Sequence, residues 1–246
     1  LKLKAKGIKV ICDIDDYWIL PKGHPMRYRH NKMNLEKCVI KNLKLADQIW
    51  TTTPILADKV RPYNKNIEII KNAIDPTEKQ YAYDDLSINF DTFFYSGGNT
   101  HLKDLKLLGK AFDDYKLIVK SPKMPKNMLG IKRQISEVQE YAKDYEHCGI
   151  CVVPLMENTF NSCKSELKMI EAGHFAKPVM VSAADPYNLL STNKNSLKVY
   201  NNDWANAIKK IYGNHQMQVD LGLKLKEDVD LKYNLVKENE KRLQTL

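Results

Sequence analysis

Short apolar runs recur along this chain, each closing on acids, glycines or a proline, and most are followed by residues whose apolar positions return every three or four places. That alternation restricts the fold more than any other feature. Apolar runs without polar alternates are strands buried on both faces, and strands that alternate with helices make parallel sheets with helices packed on either side. The first series predicts a strand over residues 8–14, a loop over 20–32, a helix over 33–46, a strand over 48–52, a helix over 54–60 opened by Pro54, and a strand over 67–70. The order is βαβαβ.

Between Asp75 and Phe90 periodicity is lost and turn residues and charge accumulate, which places a domain boundary there. A second series follows. It predicts a strand over 93–95 running into Ser96-Gly97-Gly98-Asn99, a helix over 101–112, a strand over 116–119, and a helix over 131–141. A strand over 149–154, a loop over 155–162, a helix over 163–175, a strand over 178–182 and a mainly helical end from Trp204 complete it. The expectation is an α/β protein of two Rossmann-like domains, residues 1–80 and 81–246, with parallel sheets flanked by helices and the first domain incomplete.

Length agrees, since 246 residues make one large domain or two small ones. A mean hydropathy of -0.49 with no long apolar run argues against a membrane span. The net charge of +9 raises the question of nucleic acid, but only Arg27, Arg29, Arg61, Arg133 and Arg242 among the 39 basic residues are arginine, the side chain favoured for base and phosphate forks. The lysines are interleaved with acids, as solvated helix faces require, so no specific nucleic-acid partner is expected. Five cysteines without a secretory pattern point to a reducing, cytoplasmic setting. Cys148 and Cys151 have paired spacing but no second pair or histidines, and read as buried thiols rather than a metal site. The first residue is Leu1, which suggests a fragment or a processed chain.

Three segments carry chemistry. Asp13, Asp15 and Asp16 follow directly on a buried strand, at the carboxyl end of a parallel sheet where such folds place ligands. They read either as a turn in which acids satisfy backbone N–H groups or as the Asp-x-Asp of a haloacid dehalogenase-type phosphatase, with Asp13 as nucleophile and Asp15 beside it. Gly97 and Gly98 join a strand to a helix and let the backbone approach a phosphate, although they lack the spacing of a dinucleotide or P-loop motif. Lys164, Lys168 and Glu171 are spaced to share one face of a helix over 163–175. Two cations near a helix start suit a diphosphate, and a carboxylate suits ribose hydroxyls; the plainer reading is an exposed face with ordinary ion pairs.

At these residues the chain resembles GT-B fold glycosyltransferases of the group 1, or family 4-like, class. The resemblance rests on SGGNTHLKD, VVPL, Phe160-Asn161-x-x-Lys164-Ser165-x-x-Lys168-x-x-Glu171 and Lys177-Pro178-Val179 leading to Asp185-Pro186-Tyr187 in the second half. In the first half VICDIDDYW, LADQIWTTTPILADKV and IEIIKNAID carry it. It implies a retaining glycosyltransferase without metal or other cofactor, moving a sugar from a nucleotide diphosphate donor to a glycan or other acceptor, with peripheral membrane contact compatible. Gly97 and Gly98 would approach the donor phosphates, Lys164 and Lys168 neutralise the diphosphate, Glu171 hold the ribose, and Asn161 and Ser165 assist. Asp15, Asp16 and His24 would face the acceptor side. Cys163 stands where the commoner pattern of the class has a first glutamate, eight positions before Glu171, and only about three strands precede Asp75. A nonenzymatic nucleotide-sugar-binding remnant is therefore the alternative, ahead of the phosphatase.

Overall fold

The computed structural model describes residues 2–83, 86–134, 136–137, 139–146 and 148–246. The chain forms two compact units: Leu1–Asn72, Glu157–Ser165 and Leu235–Leu246 make the first, and Ala73–Met156 with Glu166–Asn234 the second. The expected division after residue 80 falls within the second unit, and the first unit also takes two segments from far downstream.

Among the described residues of the first unit, β1 (Ile11–Ile14), β2 (Gln48–Thr51) and β3 (Ile67–Ile69) pair in that order, all parallel. The connections include α1 (Arg27–Lys32), α2 (Leu35–Leu45) and α3 (Pro54–Val60). Thr53 caps α3, its hydroxyl accepting from the Leu56 N–H at 3.2 Å, and Pro54 begins the helix where no N–H is needed. The core joins Trp18, Leu43, Ile49, Leu56 and Val60 to Cys163, which arrives from the downstream segment. That segment contains α5 (Thr159–Ser162), capped by Asn158. The last segment contains α9 (Leu235–Gln244), whose Glu238 carboxylate accepts the Lys71 N–H at 3.0 Å.

The second unit holds β4 (Phe93–Ser96), β5 (Leu117–Lys120), β6 (Ile131–Arg133), β7 (Ile150–Val153), β8 (Val179–Ser182) and β9 (Leu197–Val199). They form a parallel sheet in the order β6-β5-β4-β7-β8-β9. Alternate residues enter opposite cores. Phe94, Cys151, Val153, Val179 and Val181 meet α6 (Leu167–His174) and α8 (His215–Lys232) on one face. Phe93, Tyr95, Ile150, Val152 and Met180 meet the α4 (Leu102–Leu105) turn and α7 (Trp204–Ile211) on the other. Each fully buried aliphatic or phenyl side chain contributes roughly 1.5–3 kcal/mol, so the strands need no polar face.

Several elements differ from the sequence reading. The loop expected over 20–32 contains α1. The helix expected over 101–112 is cut to α4 and a tight turn, Lys106–Leu108, because Gly109 turns to a left-handed φ of 53°. Where a helix was expected over 131–141, Ile131–Arg133 is instead an edge strand, satisfying the outer backbone groups of β5. Ile135 and Val138 of that expected helix lie outside the described residues, as do Leu1, Asp84 and Asp85. The helix expected over 163–175 begins only at Leu167, so Lys164 precedes it.

Candidate functional site

Helix α6 follows β7 and precedes the parallel strand β8, so its N-terminus stands at the carboxyl end of the second unit's sheet, where β4 also delivers Gly97 and Gly98. Neither glycine has a positive φ. Gly97 is small because the Tyr95 hydroxyl occupies the space a Cβ would need, whereas the corresponding space at Gly98 is open. Gly98 is thus the position at which an incoming group can reach the backbone. Tyr95 is buried with its hydroxyl lacking a hydrogen-bond partner, and burial pushes that hydroxyl well above the usual tyrosine range. The Lys168 ammonium lies 4.9 Å from the centre of the Tyr95 ring, a cation–π distance that sets the cation beside the Gly97 turn.

A second group on the same edge was not singled out in the sequence. His101 Nδ1 and an Asp104 carboxylate oxygen are 2.8 Å apart, and the other Asp104 oxygen accepts the Met156 N–H at 2.8 Å. Asp104 is only 3% exposed, so these charge-assisted bonds tie the turn after β4 to the segment after β7. The His-x-x-Asp spacing beside two glycines was the available signal. Ser182 makes the matching tie at β8, accepting the Leu155 N–H at 2.9 Å.

Glu171 lies one helical turn beyond Lys168 and is 3% exposed. Its carboxylate accepts the Tyr141 hydroxyl. Burial lifts its pKa to about 7; hydrogen bonds from Tyr141 and Tyr145 and the nearby Lys168 charge oppose the rise. Tyr81 is pushed up to about 12 by burial and by that carboxylate. A carboxyl group poised near neutrality can accept from a sugar hydroxyl, provided that Tyr141 yields its place.

The remaining candidates belong to the first unit. Lys164 stands 5.0 Å from the centre of the Phe160 ring, and the His24 ring packs edge-on against the same phenyl at 5.3 Å. Burial raises the Asp16 carboxyl, with Lys164 and His24 lowering it and Asp15 raising it, so the four ionisable groups form one electrostatic cluster. Asp13 is raised by burial and by Asp15, against the opposing Arg242 charge. Asn161 is buried, and Ser165 Oγ accepts from Asn72 Nδ2 at 2.7 Å. The structure therefore gathers Asp15, Asp16, His24 and Lys164 in one unit and Gly97, Gly98, Lys168 and Glu171 in the other. The expected three-residue helix face is corrected to Lys168 and Glu171 alone.

Cys148 and Cys151 are free, buried thiols with their sulfurs 3.4 Å apart, and burial holds Cys151 well above the ordinary thiol range. Among the described residues no three His, Cys, Asp or Glu side chains gather as metal ligands, and no helix is long and apolar enough to cross a membrane.

No family model matches the chain, and no curated protein sequence is significantly similar to it. Solved structures do match. TarM aligns with a TM-score of 0.69 at 16% identity over 97% of this chain and 50% of its own. Sucrose-phosphate synthase from Thermosynechococcus elongatus aligns at 0.71 and 17% identity, over 99% of this chain and 69% of its own. HepE of Anabaena, solved with UDP and glucose, aligns at 0.72 and 12%, over 99% and 72%. These likenesses establish the GT-B glycosyltransferase fold. The chain spans about half the length of TarM.

Proposed function

We propose that the chain is a glycosyltransferase that takes a sugar from a nucleotide diphosphate donor and passes it to a glycan or other acceptor with retention of configuration. The observation that carries this reading is the Lys168 ammonium, which lies over the ring of Tyr95, two residues before Gly97, and acts on the buried Glu171 carboxyl one helical turn away. The presence of UDP and glucose in HepE, which shares the fold, supports it. In this scheme the Lys168 ammonium and the Gly98 backbone bind the diphosphate, and Glu171 accepts a ribose hydroxyl after Tyr141 turns away. As the bond from the anomeric carbon to the diphosphate breaks, negative charge grows on the departing oxygen, and a fixed cation there stabilises the transition state more than the ground state. Such leaving-group stabilisation requires no metal. Lys164, Asn161 and Ser165 are proposed to assist in donor binding, and Asp15 and Asp16, with His24, to serve the acceptor.

Calorimetry with UDP and with GDP on wild type, Lys164→Ala, Lys168→Ala and the double variant tests the assignment. Loss of affinity in both single variants would support both lysines as nucleotide-binding residues. Equal affinity in wild type and the double variant would remove the proposed site. The binding-only reading is favoured by the first unit's sheet, which has three strands among the described residues. Donor binding with neither transfer nor hydrolysis would select it.

A further inference from the structure

One cavity of the first unit has no part in this scheme. There α1 packs against α2, and the two helices, with residues ahead of them, enclose an open cavity of about 330 Å³. Arg27, His30 and Asn31 stand three and four places apart, so they share one face of α1, and all three line the cavity. Asn34 and Lys37, from the start of α2, line it together with Glu36. Arg27, His30 and Lys37 form no ion pair among the described residues, and the Asn31 and Asn34 side chains have no hydrogen-bond partner there. Asn34 also makes no capping bond to α2, which leaves its amide free to meet a ligand. Arg27 and His30 are half-buried, and Ile19 and Leu20 add an apolar wall.

Three basic side chains around one small space call for an anion of more than one charge. The other lining groups narrow its kind. Two amides and a carboxylate pair with hydroxyls, and an apolar wall suits carbon rather than charge. A bare anion would leave the amides and the wall unused and would meet Glu36 as a like charge. Neither a nucleic-acid duplex nor a membrane surface enters a cavity at the lower end of the roughly 300–1,000 Å³ that small-ligand sites occupy. We propose that this cavity binds a phosphorylated sugar or polyol, with Arg27, His30 and Lys37 holding the phosphate while Asn31, Asn34 and Glu36 bond its hydroxyls.

Calorimetry on the full chain with glucose 6-phosphate and glycerol 3-phosphate, beside inorganic phosphate and glucose, tests this. At least one ester is expected to bind about tenfold or more tightly than either inorganic phosphate or glucose. Each charged hydrogen bond lost should cost about tenfold, so Arg27→Gln/Lys37→Gln should lower that affinity about a hundredfold. Arg29→Gln/Lys41→Gln, which removes the same charge from exposed positions outside the lining, should lower it far less. Asn31→Ala should weaken the ester and leave inorganic phosphate unchanged. Lys168→Ala should leave ester binding intact, which separates this cavity from the proposed donor site. Circular dichroism checks that the variants fold, and the exposed Lys37→Gln alone carries the test should Arg27→Gln not fold. Equal losses in the two charge variants would overturn the proposal in favour of general charge. Inorganic phosphate binding as tightly as both esters would overturn it in favour of a bare anion, and so would failure of both esters to bind. Loss of ester binding in Lys168→Ala but not in Arg27→Gln/Lys37→Gln would move the ligand to the donor site.

Discussion

Replacing Glu171 by Gln isolates one buried proton. In the folded protein this carboxyl has a pKa of about 7, raised from 4.5 chiefly by burial. A raised carboxyl binds its proton more tightly folded than unfolded, so its contribution to stability is complete below the unfolded value and is lost as pH climbs through the folded one. A separation of roughly 2.5 units at about 1.4 kcal/mol each sets the full loss at about 3–4 kcal/mol, most of which falls between about pH 5 and about pH 8. Glutamine keeps a carbonyl oxygen for the Tyr141 hydroxyl and cannot ionise, so the variant lacks this slope. Urea unfolding of both proteins at intervals across that range supplies the assay, and the difference between them removes every other titrating group. The variant should gain on wild type steadily as pH rises. A difference that stays constant would refute the reasoning, because it would mean that Glu171 is already ionised in the folded chain at the lower end.

Three other outcomes are expected. Asp104→Ala leaves the Met156 N–H and His101 without their acceptor and should cost about 1–3 kcal/mol in chemical unfolding, with a shift of the His101 ring resonances; unchanged resonances would deny the pairing. At Gly222→Ala the new methyl would strike the Ala176 carbonyl where α8 crosses the end of α6, so a loss of about 1–3 kcal/mol is expected in thermal unfolding, against about 0.5 kcal/mol or less for the exposed Leu223→Ala one residue on. Lys164→Met removes a charge that holds the Asp16 carboxyl down, so the Asp16 midpoint followed by carbon NMR should rise; a fixed midpoint would show that the cation does not act there.

The buried strands were legible because both of their faces are covered: Ile150–Val153 is a continuous apolar run, Val179–Ser182 is apolar up to its last residue, and every residue of both is buried. The edge strand Ile131–Arg133 was not, since all three residues are exposed and only pairing with β5 makes them a strand. The start of α6 was hidden for a different reason. Spacing places Lys164, Lys168 and Glu171 on one helical face, but Cys163 is drawn into the first unit's core and Asn158 caps a separate short helix, so the chain turns before Leu167. Periodicity reports which residues want burial, not which core receives them. Gly97 and Gly98 were found from their position after a strand, yet only the structure separates a glycine pressed on Tyr95 from one open to a ligand. Glu171 was chosen as a ribose acceptor from the pattern alone; Tyr141, thirty residues away, has no local signal that ties it to that carboxylate.

The stitching of the first unit from three separate segments bears on how the molecule is made. Glu238 receives the Lys71 N–H across 167 residues, and Cys163 fills a core begun at Trp18. A ribosome delivers β1, β2 and β3 before β4, but Cys163, which joins their core, follows only after β7, and the helix that holds the end of β3 arrives only after β9 has been synthesised. Closing loops of that length is slow, and the second unit draws on two segments with shorter gaps between its strands. The β1–β3 sheet is therefore translated before the second unit and completed after it, when α9 has emerged.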